Sequence, residues 1–452
     1  MIKSSVEKNY QRPIVYVYYS NATVNKEYME FFPYTELEKT FEIIPIFSKT
    51  IFSRDTKYVH IKLHWFTRKI HSIIHYCLIW HKRYSSLAFK LRAYQYFGSK
   101  NEIRNSSNFG LYNGRRHELA TLLFVRIFGN PFGISLLTKI LELCFGFESK
   151  RQSNRFCMMN SLMILPYHGG IHLEFDYLVW YSNKLNVRSI AIQQNWDNLS
   201  SKSFLLKHPT NFLTWGKQSS SHLRSIQDYR GKIKEIGSLR LYELYLEKFS
   251  SESLSIKGEV PEKGPEKLKI LIIGTGPASY DNQIIDLILK TFKEFSINNY
   301  EITYRPHPYR ISNSESIQPT NNLKFIKLEV PNKDEKNNHR IKLIQESSII
   351  ISLYSTVLLE ATILSKPCII PAFVTGPKGY NTANFVDDLS HYSGLSSLET
   401  IHVANSTSEL MELINKLKLK ENQVQTLISS LNWFCKNVNT QQEIIQVIQK
   451  YL

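Results

Sequence analysis

The second half of the chain alternates continuous Ile/Leu/Val runs with amphipathic stretches, and this alternation restricts the fold more than any other feature of the sequence. Apolar runs occur at Lys269–Gly274, Tyr300–Arg305, Leu323–Leu328, Ser348–Leu353, Pro367–Pro371 and Thr400–Ala404. Segments with helical spacing separate them, at Asn282–Glu294, Arg340–Glu346, Thr356–Leu364 and Glu409–Leu417. A strand without polar alternation must be buried on both faces, so the pattern predicts a parallel sheet covered by helices on either side. The first half shows the same grammar more loosely, with strands expected at Pro13–Tyr19, Ser161–Pro166, Arg188–Gln193, Asn211–Trp215 and Ile233–Ile236.

Between the halves lies SSESLSIKGEVPEKGPE (250–266), polar, rich in Pro and Gly and without apolar periodicity. That is linker composition. The reading is therefore α/β with two Rossmann-like domains. The first covers 1–250, with a helical insert at about 49–146; the linker is 251–266; the second domain covers 267–452. At 452 residues, two domains of ordinary size are expected in any case.

Charge bears on partners rather than fold. The formal net charge is +17, and twelve Lys and Arg oppose two acids between Lys49 and Arg104, interleaved with Trp65, Trp80, Tyr84 and Tyr94. Basic and aromatic residues on amphipathic helices suit an anionic membrane surface, so peripheral membrane contact is expected. The five cysteines are scattered without ligand spacing, which fits a reducing compartment. No signal-like leader and no apolar run of spanning length stands out. The expected location is cytoplasmic, peripheral at the inner face of the membrane.

Three constellations carry candidate chemistry. Ser355-Thr356, Leu359-Glu360-Ala361 and Ser365-Lys366-Pro367 follow one strand of the second domain. Tyr304-Arg305-Pro306-His307-Pro308 follows another, and the prolines on both sides of His307 restrict its backbone. In the first domain, Gln193-Gln194-Asn195-Trp196-Asp197-Asn198 follows a strand, as does Tyr167-His168-Gly169-Gly170, with Glu174 and Asp176 soon after. Gly274-Thr275-Gly276 lacks the third glycine of a dinucleotide fingerprint and reads as a cleft-facing loop.

Taken together these motifs resemble the GT-B glycosyltransferase superfamily, in particular bacterial surface-polysaccharide (capsule and lipopolysaccharide) transferases with His-Pro and Ser-Thr donor-site motifs. The resemblance spans about Ser161–Leu417 and departs from the family in carrying Ser365 where a glycine is usual. It implies two parallel sheets facing a cleft and a nucleotide-sugar donor held by Arg305, His307, Ser355, Thr356 and Glu360. It places Asp197 and His307 as catalytic residues, Asp197 taking the acceptor proton. The acceptor side is formed by His168, Gly169, Trp196, Asn198 and Glu174. No cofactor or metal is required. The acceptor is a surface glycan or a lipid-linked molecule, with no role for nucleic acid.

Two other readings stay open. One is a polyol-phosphate transferase or nucleotide-sugar epimerase on the same fold. The other is a non-catalytic basic protein binding membrane or nucleic acid, which has no need of the His-Pro and Ser-Thr motifs on consecutive units.

Overall fold

The computed structural model describes residues 12–20, 30–47, 58–97, 119–152, 156, 160–169, 171–246, 267–274, 278–294, 299–307, 326–331, 337–353, 355–374, 389–418 and 428–452. The 251–266 linker, Gly170, Gly276, Pro308 and the insert segments 49–57 and 98–118 lie outside them. The chain divides into two compact units. The first comprises Met1–His81, Leu123–Arg240 and Val438–Leu452; the second comprises Lys82–Leu122 and Leu241–Asn437.

The first unit is built on a seven-stranded sheet: β1 (Ile14–Tyr19), β2 (Glu42–Phe47), β3 (Val59–His60), β4 (Ser161–Tyr167), β5 (Arg188–Gln193), β6 (Asn211–Thr214) and β7 (Lys232–Glu235). The spatial order is β3-β2-β1-β4-β5-β6-β7, and every pairing is parallel. β1 and β4 are buried along their whole length, as their unbroken apolar runs require.

Among the described residues, four helices lie between β3 and β4: α1 (Trp65–His81), α2 (Leu87–Phe97), α3 (Leu119–Phe128) and α4 (Pro131–Gln152). α2 belongs to the second unit, where Ala88 packs with Leu389. α5 (Leu173–Lys184) follows β4, and α6 (Lys217–Ser225) follows β6.

The second unit carries a six-stranded parallel sheet. Its strands are β8 (Leu268–Ile273), β9 (Tyr300–Arg305), β10 (Ile326–Leu328), β11 (Ile349–Ser352), β12 (Cys368–Pro371) and β13 (Ile401–Ala404), in the order β10-β9-β8-β11-β12-β13. Its described helices include, besides α2, α7 (Ala278–Glu294), α8 (Asn337–Glu346), α9 (Val357–Ile363) and α10 (Thr407–Lys418). Ile270, Ile272, Ile302 and Ile351 from the strands pack with Ile285, Ile288, Leu410 and Ile414 from α7 and α10.

Both sheets share one winding rule. The chain steps outward on one side of the first strand, then returns to the other side of that same strand. The order reverses between β1 and β4 in one unit and between β8 and β11 in the other. In open parallel sheets ligands bind beyond the carboxyl ends of the strands at such a reversal. Each unit therefore has one place where a site is expected.

The architecture departs from the sequence reading in three ways. β2 and β3 belong to the sheet, so the helical insert begins only after β3 and its last helix runs on to Gln152. Exposed Trp65, Phe66 and Tyr84 remain in the 49–104 stretch, but α1 turns His71, His75, Cys77 and Ile79 inward.

The third departure concerns α11 (Thr440–Tyr451), assigned by sequence to the second domain, which packs on the first sheet. Ile444, Val447 and Ile448 are buried among Val15, Val17, Leu162 and Ile190, a burial contributing about 1.5–3 kcal/mol per side chain. The end of α11 is fastened by Arg188 Nη1 donating to the Tyr451 carbonyl (2.9 Å) and by Tyr451 Oη donating to Asn211 Oδ1 (2.8 Å).

Candidate functional site

At the reversal of the first unit, β1 is followed by Ser20 and β4 by His168-Gly169. The Ser20 hydroxyl and His168 Nε2 lie 2.7 Å apart. The His168 and His172 rings meet edge to face, with centroids 3.5 Å apart. Both line a small pocket with Tyr18, Phe175, Asp176 and Phe204, large enough for about one water. Burial pushes the His168 pKa down to about 4. Burial, with the neighbouring His168, takes His172 to about 3. At neutral pH both rings are uncharged and retain a lone pair.

Gly169 sits at φ +74°, and a Cβ there would lie 2.8 Å from Lys202 Cβ and 2.9 Å from Asn198 Cα. Only glycine suits this conformation and this closeness.

The segment after β5 is a rigid support. Gln193 is its hub: Oε1 accepts from the Trp215 amide (3.2 Å), while Nε2 donates to the carbonyls of Asn195 (3.0 Å) and Trp196 (3.3 Å). Trp196 is buried and donates from Nε1 to Gln218 Oε1 at 2.8 Å. Asn198 is fully buried and donates to the Tyr167 carbonyl at 2.8 Å, tying this segment to the end of β4. It opens one turn of π-helix, Asn198–Lys202.

Asp197, the base expected from sequence, is engaged by Lys202 Nζ at 2.9 Å and by the Ser201 hydroxyl at 3.0 Å, both on Oδ2. Glu174 is buried, and its Oε1 accepts from Arg68 Nη2 at 2.6 Å. Asp176 contacts His71 and His75 of α1, while its Oδ1 accepts from the Lys207 amide at 3.2 Å. Burial acts to raise the Asp176 carboxyl, but contact with the two imidazoles outweighs it and holds the group well below the usual carboxylate range.

At the reversal of the second unit, β8, β9 and β11 end side by side. The Gly274 amide donates to the Arg305 carbonyl (2.8 Å), and the Ser352 hydroxyl donates to the Ile273 carbonyl (3.1 Å). A Cβ on Gly274 would lie 2.5 Å from Asp281 Oδ2, 3.1 Å from the His307 amide and 3.1 Å from Pro306 Cα, so the backbone of β8 passes against the Pro-His turn. Tyr304 Oη donates to Asp281 Oδ2 at 2.7 Å, fixing the start of α7 to the end of β9. Arg305 is buried and His307 is exposed.

β9 and β11 flank β8, so their ends lie about 10 Å apart. Arg305 thus closes the strand on one side of β8, with His307 just beyond it, and Ser355-Thr356 follow the strand on the other side. Within its own turn, Ser355 Oγ accepts from the Val357 amide at 3.2 Å. Glu360, assigned to the donor by sequence, is instead fully buried, with Oε2 3.0 Å from Arg340 Nε of α8.

Four residues escaped the sequence reading. Ser20 and His172 carry no motif of their own and acquire meaning only through the neighbouring strand end. His71 and His75 did leave a signal, because a spacing of four on a helix puts two side chains on one face.

No family model and no curated protein matches the chain. Solved structures do resemble it. The UDP-GlcNAc 2-epimerase of Methanocaldococcus jannaschii, in complex with UDP-GlcNAc and UDP, is 11% identical with a TM-score of 0.48, covering 97% of this chain and 99% of that one. The UDP-N-acetylglucosamine 2-epimerase of Rickettsia bellii is 11% identical, with a TM-score of 0.47 and coverage of 98% and 97%. The wall teichoic acid polymerase TagF is 12% identical, with a TM-score of 0.46 and coverage of 97% and 89%. The strand orders and registers above carry the fold assignment: two Rossmann-like parallel sheets in one chain.

Proposed function

We propose that the protein is a glycosyltransferase that moves a sugar from a nucleotide-sugar donor to a glycan or lipid-linked acceptor. The observation carrying this reading is the pair of strand reversals, each ending in groups apt for one half of such a reaction. In the second unit, Arg305, His307 and the Ser355-Thr356 turn follow the two strands that flank β8, and in this reading they meet the charge that develops on the departing nucleotide. Donors fixed in place before the reaction stabilise that charge most.

In the first unit, His168 is the acceptor-side base. It is neutral, half-buried, braced by Ser20 and open to the small pocket, whereas the Asp197 carboxylate is committed to Lys202 and Ser201. Trp196, Asn198 and Gly169 hold the frame around it. Glu360 acts by fixing α9 to α8 through Arg340 rather than by touching the donor.

The transferase works at the inner face of an anionic membrane. α4 supports this because it is apolar on two opposite faces. Leu137, Leu141 and Phe145 are buried, while Phe132, Leu136, Ile140, Leu143 and Phe147 are exposed. At about 100° per residue the exposed five share an arc of about 80°, edged by exposed Lys139 and Lys150. Leu123 and Ile127 of α3 are exposed as well. A helix apolar on both faces buries both, and the basic edge selects an anionic lipid surface over a neutral one. No helix among the described residues is long and apolar enough to cross a membrane.

The deciding experiment presents the full chain with CMP-, UDP-, GDP- and CDP-linked sugars and follows thermal stabilisation and nucleotide release. Stabilisation by one nucleotide class, with release accelerated by a glycan or lipid-linked acceptor, supports transfer. Acceptor-independent conversion of the sugar itself replaces the reading with epimerisation. No response to any donor overturns it.

A further inference from the structure

Three potential ligand atoms from two helices converge inside the first unit. His71 and His75 project from one face of α1, and Asp176 from α5. His71 Nε2 lies 2.8 Å from Asp176 Oδ2, His75 Nε2 lies 3.2 Å from the same oxygen, and the two ring nitrogens are 3.1 Å apart. All three side chains are buried. We infer that this cluster is a binding site for a divalent transition-metal ion of the zinc class, with two imidazoles and one carboxylate as protein ligands.

Hydrogen-bond accounting favours an ion over a purely hydrogen-bonded cluster. If both Nε2 atoms carry protons, two donors crowd onto one oxygen with their hydrogens about 2 Å apart. If only one does, the lone pair of the other ring faces the carboxylate oxygen. If neither does, two lone pairs face it. The carboxylate oxygen can accept from both rings only with the two nitrogens and the oxygen crowded within 3.2 Å of one another, and any other placement of the ring protons turns a lone pair toward it. A cation accepts all three lone pairs at once.

The dimensions suit an ion. A point about 2.1 Å from each of the three atoms lies about 1 Å above their plane, leaving one side open for a further ligand. The edges of the triangle are shorter than the about 3.4 Å of an ideal tetrahedral site by a few tenths of an ångström, within reach of small rotations of the rings.

The surroundings have the form that orients metal ligands. With Nε2 facing the ion, the proton of His75 belongs on Nδ1, and Nδ1 lies 2.8 Å from the Ser203 hydroxyl. The second oxygen of Asp176 accepts from the Lys207 amide. Hydrogen bonds of this kind fix tautomer and ring orientation. Two nitrogens and one oxygen select zinc and its transition-metal neighbours over calcium or magnesium, which take oxygen ligands. Bound there, the ion fastens α1 and α5 beside the pocket that Asp176 shares with His168 and His172.

The test uses the full chain, purified without a metal-affinity tag and stripped with a chelator. Titration with Zn²⁺, and separately with Co²⁺, is expected to reach one ion per chain, raise the melting temperature and give the visible absorption of low-coordinate Co²⁺. Asp176→Asn should abolish uptake. Ser203→Ala, which leaves all three ligands in place and is expected to fold, should weaken affinity by about 10–100-fold. Wild-type protein that folds but takes up no ion at this stoichiometry overturns the assignment. So does undiminished uptake by folded Asp176→Asn, which would put the ion elsewhere.

Discussion

The hydroxyl of Ser20 and the ring of His168, 148 residues apart in the sequence, meet at 2.7 Å across the ends of two neighbouring strands. Neither residue is informative alone. The reversal of strand order between β1 and β4 makes them neighbours, and it does so where a parallel sheet receives its ligands.

Replacing His168 by Gln should lower the turnover of sugar transfer by about 10²–10⁴-fold, the usual contribution of a positioned base. Circular dichroism and donor-induced thermal stabilisation should remain near wild type. Asp197→Asn should cost less turnover than His168→Gln, because Asp197 mainly anchors Lys202 and Ser201. A larger loss in Asp197→Asn returns the role of base to that carboxylate.

His168 and His172 make the stability of the protein pH-dependent with a definite sign. Burial lowers both folded-state values, to about 4 and about 3, against about 6.5 in the unfolded chain. Below about 6.5 the unfolded chain binds more protons than the folded one, so stability is full above that pH and declines as pH falls toward about 4. Melting temperatures measured between these values should follow this slope, and His172→Gln should flatten it.

Two glycines should respond oppositely to alanine. At Gly169, with φ +74° and backbone within 3 Å of a new Cβ, the change should cost about 2 kcal/mol or more. At Gly146, inside α4 with nothing within 4 Å of the added Cβ, it should stabilise by about 0.5–1 kcal/mol. Urea denaturation of both variants makes the comparison.

His307→Ala should reduce transfer by about 10²–10³-fold in kcat, as removal of a preorganised donor does. The fold should be retained, since His307 is exposed and packs no core. Unchanged kcat, measured with saturating donor, would remove His307 from the chemistry.

On the outer face of α4, Leu143→Glu with Phe147→Glu should abolish sedimentation with anionic vesicles while leaving the melting temperature nearly unchanged, because both side chains are exposed. Wild-type binding should weaken as salt rises. Equal binding by wild type and variant would send the attraction back to the basic residues alone.

Strands dominated by unbroken apolar runs, such as β1, β4, β8 and β11, were legible because nothing but a doubly covered sheet accommodates them. β2 escaped notice because Pro45 interrupts its apolar run, and it is tolerated where β3 pairs only with Ile46 and Phe47. β3 is two residues long and has no periodicity to read. The Arg305–His307 turn was legible because its prolines declare a fixed backbone. The partners of Glu360 and Asp176 were not, since no local pattern links Glu360 to Arg340 or Asp176 to a helix face about a hundred residues earlier. α11 was not singled out, and its periodicity would reveal that a face is buried but not which sheet buries it.

The return of α11 to the first sheet sets an order of maturation during synthesis. Every strand and helix of the second unit leaves the ribosome before Ile444, Val447 and Ile448 do. The second unit can therefore close while β1, β4 and β5 still present an uncovered apolar face. That face is held open for the translation of nearly half the chain, a period in which chaperones or aggregation compete for it.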